Sequence, residues 1–259
     1  MSAAESTVHR AGKTTGDVDY KNAATLRERA SAFRLIYDSY LRARLGEPND
    51  YGLRVTPYHL LPTTETFLAV CGGQTIFTMS LVIDGQLGLP MECAYGREVE
   101  ARRERGLLLG EVTCLADRRA QFERFFPVFV RLSRLMAQHA WARGLDELVI
   151  AVHPRHARFY RRFMHFEPIG PQRAYPSVRN HPAVAMSLNF ARVDRERPTS
   201  FETFFGQWLP ERQLRPQPIP LEQTDYFRPM VDPSFRLAPV GDTYDLLGQP
   251  AEELALSVA

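Results

Sequence analysis

The chain has 259 residues, 44% of them hydrophobic and 24% charged, with a formal net charge of +2. That length suits one ordinary domain plus additional material, because a single core generally takes roughly 100 to 200 residues. No apolar run approaches the roughly 20 residues that span a bilayer, and the polar start from Met1 to Asp19 lacks the hydrophobic core of a signal peptide. A cytoplasmic globular protein is therefore expected, with neither a transmembrane segment nor a nucleic-acid partner.

Residues 1–18 are rich in Ser, Thr, Gly and Ala without periodicity, and a disordered arm is expected there. From Ala24 to Leu45, Leu26, Ala30, Phe33, Tyr37 and Tyr40 recur in steps of three and four, which predicts a helix stopped by Gly46 and Pro48. Thr66 to Val70 and Thr75 to Ile83 flank a Gly-Gly turn and predict a β-hairpin. A short helix around Arg97 to Glu104 precedes a strand from Leu107 to Leu115. Arg124 to Arg143 is the strongest helical stretch, with Pro127 expected in its first turn.

Gly144 ends that helix. The uninterrupted run Leu148 to Val152 predicts a strand covered on both faces, followed by a helix from Arg155 to Phe163 and strands near Phe166 to Ile169 and Ala183 to Phe190. This order implies a mixed α/β sheet with at least one parallel crossover. After Val193, prolines at 198, 210, 216, 218, 220, 229, 233 and 239 break any long element. One helix from Phe201 to Leu209 is expected, within an extension that either wraps the domain or stays loose. The expected units are thus an arm over 1–18, a catalytic domain over 19–193 and a Pro-rich extension over 194–259.

Cys71, Cys93 and Cys114 are widely spaced and fit neither a disulfide framework nor metal ligation. His153 and His156 flank Pro154 among arginines; capping or solvent exposure suits them better than a metal. The sequence has no Gly-x-Ser-x-Gly elbow, Walker loop or dinucleotide fingerprint. Arginines gather at 102–105, 118–124 and 155–162, as solvated helix faces or as a docking surface for an acidic partner.

The segment from His153 to Glu167 resembles the stretch after the fifth strand in transferases of the GNAT superfamily. His153 stands in their Asn slot, Tyr160 in their Tyr slot and His165-Phe166 in place of their Gly-Phe pair. The glycine-rich pyrophosphate loop of that superfamily is replaced by Ala116 to Glu123, which has no glycine. Gly110-Glu111-Val112-Thr113-Cys114 resembles the Glu-Leu-Ser-Arg strand of acyl-homoserine-lactone synthases, with Cys114 in place of their arginine. Four motifs, Gly52 to Glu65, Gly88 to Glu92, Val152 to His156 and Asn180 to Val184, resemble in the same order those of long-chain N-acyl amino acid synthases of the N-acyl-tyrosine synthase type.

This resemblance covers about residues 20 to 190. It implies a GNAT-like (acyl-CoA N-acyltransferase) fold, with a mixed central sheet and helices on both faces. The implied activity moves a long acyl chain from the 4′-phosphopantetheine arm of acyl carrier protein, or from acyl-coenzyme A, to the α-amino group of an amino acid. No bound cofactor or metal is expected.

Within that frame Glu111, a lone carboxyl in an apolar strand, is the candidate proton acceptor; pairing with an arginine is its alternative. Tyr160 is the candidate acid for the departing thiolate, or else a core aromatic. Arg54, with Tyr58 and His59, is assigned to the acceptor's carboxylate. A splayed or bulged strand around Val112 to Leu115 would supply oxyanion amides, with Thr113 and Cys114 as candidate substrate contacts. Phe125 and Phe129 are candidates for the acyl chain's end, His153 for substrate contact, and Arg118, Arg119, Arg155 and Arg158 for carrier docking. The rival readings are a coenzyme-A-dependent acetyltransferase, an acyl-homoserine-lactone synthase and a catalytically silent acyl- or carrier-binding domain.

Overall fold

The computed structural model describes residues 18–118 and 122–233. Helix α1 (Leu26–Arg42) starts at a capping box: the Thr25 side chain accepts the Glu28 amide while the Glu28 carboxylate accepts the Thr25 amide. Strands β2 (Thr64–Cys71) and β3 (Gln74–Ile83) form the expected hairpin. Gly72 and Gly73, at φ 57° and 74°, supply the two left-handed residues that a tight two-residue turn needs.

Helix α2 (Glu92–Arg103) begins five residues before the expected start and is kinked at Tyr95, whose φ/ψ of −129°/29° is not helical. Its alternation of Glu and Arg carries little apolar periodicity, so only packing of Tyr95 and Val99 shows where it begins. Strand β4 (Leu109–Asp117) is followed by helix α3 (Phe122–Ala142), strand β5 (Glu147–Val152) and helix α4 (Pro154–Phe163). Because α3 starts at Phe122, Pro127 lies in its second turn and not its first; the residue is exposed there. Two-residue β6 (Glu167–Pro168), β7 (Arg173–Tyr175) and β8 (His181–Asn189) complete the sheet.

The sheet runs β1-β2-β3-β4-β5-β8-β6, where β1 is Val18–Asn22 and β7 pairs with β8. Val18 thus belongs to a strand, while the rest of the expected arm lies outside the described residues. Every pairing is antiparallel except β4 with β5, which α3 joins as a crossover. Helix α3 covers one face, burying Phe129, Leu132 and Met136 against Phe77, Met79 and Leu81. The other face carries α1, through Phe33 and Ile36, and α2, through Tyr95 and Val99.

Beyond Val193 the chain wraps the domain as far as it is described. Helix α5 (Phe190–Glu196) leads to α6 (Phe201–Phe205), shorter than the expected 201–209 helix, and α6 packs on α3. There the Gln138 side chain donates to the Phe204 carbonyl at 2.7 Å and accepts the Leu209 amide at 2.7 Å. After α7 (Glu211–Leu214), the chain crosses to the opposite side, where α8 (Leu221–Phe227) lays Phe227 edge-on to Phe33 at 5.0 Å.

Candidate active site

The sheet opens where its parallel pair, β4 and β5, diverges. Strand β5 pairs with β4 only from Leu109 to Glu111, although β4 continues to Asp117 and β5 to Val152. In the same stretch β4 carries a bulge: Cys114 and Leu115 together face Met79, and Cys114 takes φ 52°. The bulge resets the alternation, so that Cys114 and Ala116 turn toward α1 while Val112 and Leu115 pack on the α3 side. Past Glu111, therefore, the β4 backbone faces a gap on its β5 side.

A cavity of about 460 Å³ fills that gap. On the α3 side its wall is apolar, with Met79, Phe129, Met136, Ile150, Met164 and Phe166. On the opposite side it is polar, with Tyr40, Arg54, Thr56, Tyr175, Ser177 and His181. Its volume falls within the roughly 300–1,000 Å³ of small-molecule sites.

Glu111 stands where the strands part, 1% exposed, its Oε2 accepting the Met91 amide at 2.7 Å. Burial pushes its carboxyl up to about 8, against the effect of that hydrogen bond, and the nearby charge of Glu92 adds to the rise. No arginine pairs with it among the described residues. Tyr160 lies across the cavity on α4, its ring edge-on to Phe166 at 5.8 Å. Burial pushes the phenol to about 12, and no described residue hydrogen-bonds its hydroxyl. It is thus both a packed aromatic and a protonated donor facing the cavity.

Arg54, 7% exposed, donates through Nη1 to Asp232 Oδ2 and through Nη2 to the Ser177 carbonyl, each at 2.9 Å, with its guanidinium 4.8 Å from the Tyr40 ring centroid. Thr113 and Cys114 line the cavity beside it. Burial raises the Cys114 thiol, and its hydrogen-bond partners are the Thr113 and Tyr40 hydroxyls. This is a poor environment for a nucleophilic thiolate. His153 caps α4, its Nδ1 accepting the Arg155 amide at 3.2 Å, and it lines the cavity near Arg155.

Other expected site residues lie elsewhere. The 3₁₀ turn Pro57–Leu60 points inward, so Tyr58 donates to the Leu87 carbonyl at 3.4 Å and His59 sits between Thr56 and Ser80 behind the cavity wall. Burial holds His59 down near 3, with Arg54 adding to the effect, so it stays neutral. Phe125 is one turn before the lining residue Phe129, on which it stacks at 5.4 Å. Arg118 is exposed at the end of β4, Arg158 is exposed on α4, and Arg119 lies outside the described residues. Among the polar lining residues absent from the expected set are Tyr40, Tyr175, Ser177 and His181. Only His181, in the Asn-His-Pro motif, carried a signal; Tyr40 reads as core on an amphipathic helix.

Solved structures share this architecture. An N-acyl amino acid synthase from uncultured soil microbes, FeeM, superposes with a TM-score of 0.60 at 27% identity, over 68% of this chain and 93% of its own. The acyl-homoserine-lactone synthase LasI gives a TM-score of 0.54 at 15% identity, over 75% of this chain and 96% of its own. For BjaI, a coenzyme-A-dependent acyl-homoserine-lactone synthase, the values are 0.50, 14%, 77% and 90%. A comparison with curated protein sequences finds no match.

The split mixed sheet and these matches define a GNAT-like N-acyltransferase. The family model for N-acyl amino acid synthase FeeM matches residues 31–189, and the chain belongs to that family.

Proposed function

We propose that this enzyme transfers a long acyl chain from the phosphopantetheine thioester of acyl carrier protein to the α-amino group of an amino acid by direct attack. The observation that carries the reading is one cavity with a buried arginine and a buried carboxyl on its polar side and an apolar pocket on the other. A zwitterionic amino acid matches the polar side, its carboxylate toward Arg54 and its amino group toward Glu111; an acyl chain matches the pocket bounded by Phe129 and Met136. Charge effects support the pairing, since the Tyr40 hydroxyl and the Cys114 thiol both feel Arg54 and Glu111.

Once the bound ammonium has shed one proton to solvent, the free amine nitrogen attacks the thioester carbon, and the ammonium of the tetrahedral intermediate gives its proton to Glu111. The developing oxyanion lies against the β4 amides at the bulge. Collapse breaks the carbon–sulfur bond, and Tyr160 protonates the departing thiolate. Replacing Tyr160 by Phe should therefore lower kcat about ten- to a hundredfold with the carrier thioester. With an aryl thioester, whose thiolate leaves unassisted, the loss should disappear; an equal loss on both donors would mean Tyr160 only packs.

Carrier docking is assigned to the mouth of the cavity. Arg155, Arg158, Arg161 and Arg162 are all exposed on α4 and make no salt bridge among the described residues. Such a face suits the acidic surface of a carrier protein, and the loop before α3 has no glycine for a pyrophosphate. The deciding assay offers the pure enzyme all twenty amino acids with long-chain acyl carrier protein and, separately, the matching acyl-coenzyme A. An N-acyl amino acid formed from the carrier protein is the expected product. Turnover with coenzyme A alone would move the donor, and turnover with neither would return the chain to a silent binding domain.

A further inference from the structure

The C-terminal extension, which lies beyond the family match, touches the cavity-lining Arg54 through the Asp232 side chain. Arg54 is nine-tenths buried, and an arginine held there offers five N–H donors in a rigid fork. Asp232 takes one through Nη1 and the Ser177 carbonyl takes one through Nη2, while Nε is buried without any partner. The Tyr40 ring lies under the guanidinium plane. A fork fixed on these sides, with the second hydrogens of Nη1 and Nη2 left over on a cavity-lining residue, is preorganised for a planar anion.

Asp232 does not line the cavity, yet its own place is closely determined. Its amide donates to the Val55 carbonyl at 2.9 Å, and Val231 forms a parallel bridge with Val55, the residue after Arg54. Upstream, the Gln217 amide donates to Glu65 Oε1 at 2.9 Å. Arg29 donates to the Gln217 carbonyl at 2.7 Å and to Gln223 Oε1 at 2.6 Å. Phe227 anchors the segment between those contacts and Asp232.

We infer that Asp232 is a positioning residue of the acceptor site: through its ion pair with Arg54, the strap over residues 215–232 sets the enzyme's selection for acceptors bearing a free α-carboxylate. The inference rests on the acceptor reading above. Asp232 fixes the rotamer of the Arg54 side chain, and the acceptor's carboxylate takes the Nη hydrogens that remain. Losing Asp232 leaves Arg54 charged but free to change rotamer, so the effect falls on acceptor capture and not on the chemical step.

The test compares the full-length enzyme with Asp232→Asn and Asp232→Glu, using the amino acid that the mixture assay identifies and its primary carboxamide as acceptors. Wild type should favour the free acid. Asp232→Asn should raise KM for the acid about tenfold, while kcat, donor KM and the carboxamide's KM stay within about twofold. Asp232→Glu, which keeps the charge, should recover part of the loss, and it carries the comparison if the Asn variant folds poorly. If wild type uses acid and carboxamide equally, Arg54 does not read the carboxylate and both the acceptor reading and this inference fall. If wild type discriminates but Asp232→Asn matches it, or loses both acceptors equally, the inference alone falls. A lower KM in Asp232→Asn would also overturn it, by showing that Asp232 competes with the acceptor.

Discussion

Replacing Glu111 by Gln is expected to lower kcat by about a hundredfold or more, the usual worth of a positioned general base. The substitution keeps the shape and leaves an oxygen to accept the Met91 amide, now at 2.7 Å from Oε2, but it cannot take a proton. With the carboxylate as the working form under the proposed mechanism, and burial pushing its ionisation up to about 8, the wild-type kcat should rise with pH through that value. The acceptor's amine ionises near pH 8 as well, so a second readout is needed to isolate Glu111.

Stability supplies it. The folded-state pKa of Glu111 is raised above the ordinary 4.5, so the folded protein holds this proton more tightly than the unfolded chain does. Its stabilising contribution is complete below about 4.5 and is lost as pH rises through about 8. Thermal unfolding should therefore show Glu111→Gln gaining on wild type between about pH 4.5 and 8 and holding that gain above it. An active Gln variant with this stability pattern would make Glu111 a buried structural acid and place the base elsewhere.

Replacing Phe227 by Ala should cost about 3–5 kcal/mol in urea unfolding, the range for deleting a buried phenyl ring. Phe227 is fully buried against Phe33 within the cluster that includes Leu35, Ile36 and Ile219, and it joins the extension to α1. Its neighbour Tyr226 is 49% exposed, and Tyr226→Ala should stay within about 0.5 kcal/mol. Amide exchange over residues 215–232 should speed up in the Phe227 variant. A loss below about 1 kcal/mol would mean that the extension contributes little to the fold.

Elements with a local cause were legible in the sequence. The amphipathic stripes of α1 and α3, the Gly72-Gly73 turn and the apolar run of β5 each follow from contacts a few residues apart. Elements created by pairing were not. β1 reads Val-Asp-Tyr-Lys-Asn and becomes a strand only because β2 lies beside it; β7 is three residues held by β8. The expected strand runs one residue too far, to Phe190, which opens helix α5, because the apolar residues of β8 run on into it.

The same division runs through the site. Glu111 stands out as a carboxyl in an apolar strand, and Tyr160 and Arg54 through motifs, so the sequence alone determined the family, the mixed sheet with its parallel crossover, and three of the residues that line the cavity. The tertiary structure decided which neighbours share the cavity. It turned Tyr58 and His59 away behind the wall, brought in Tyr40, Tyr175 and Ser177, and set Asp232 on Arg54 across 178 residues of chain. Side-chain periodicity records only which face of an element is buried; which groups meet depends on strand register, the bulge at Cys114 and the path of the extension, all fixed by contacts distant in sequence.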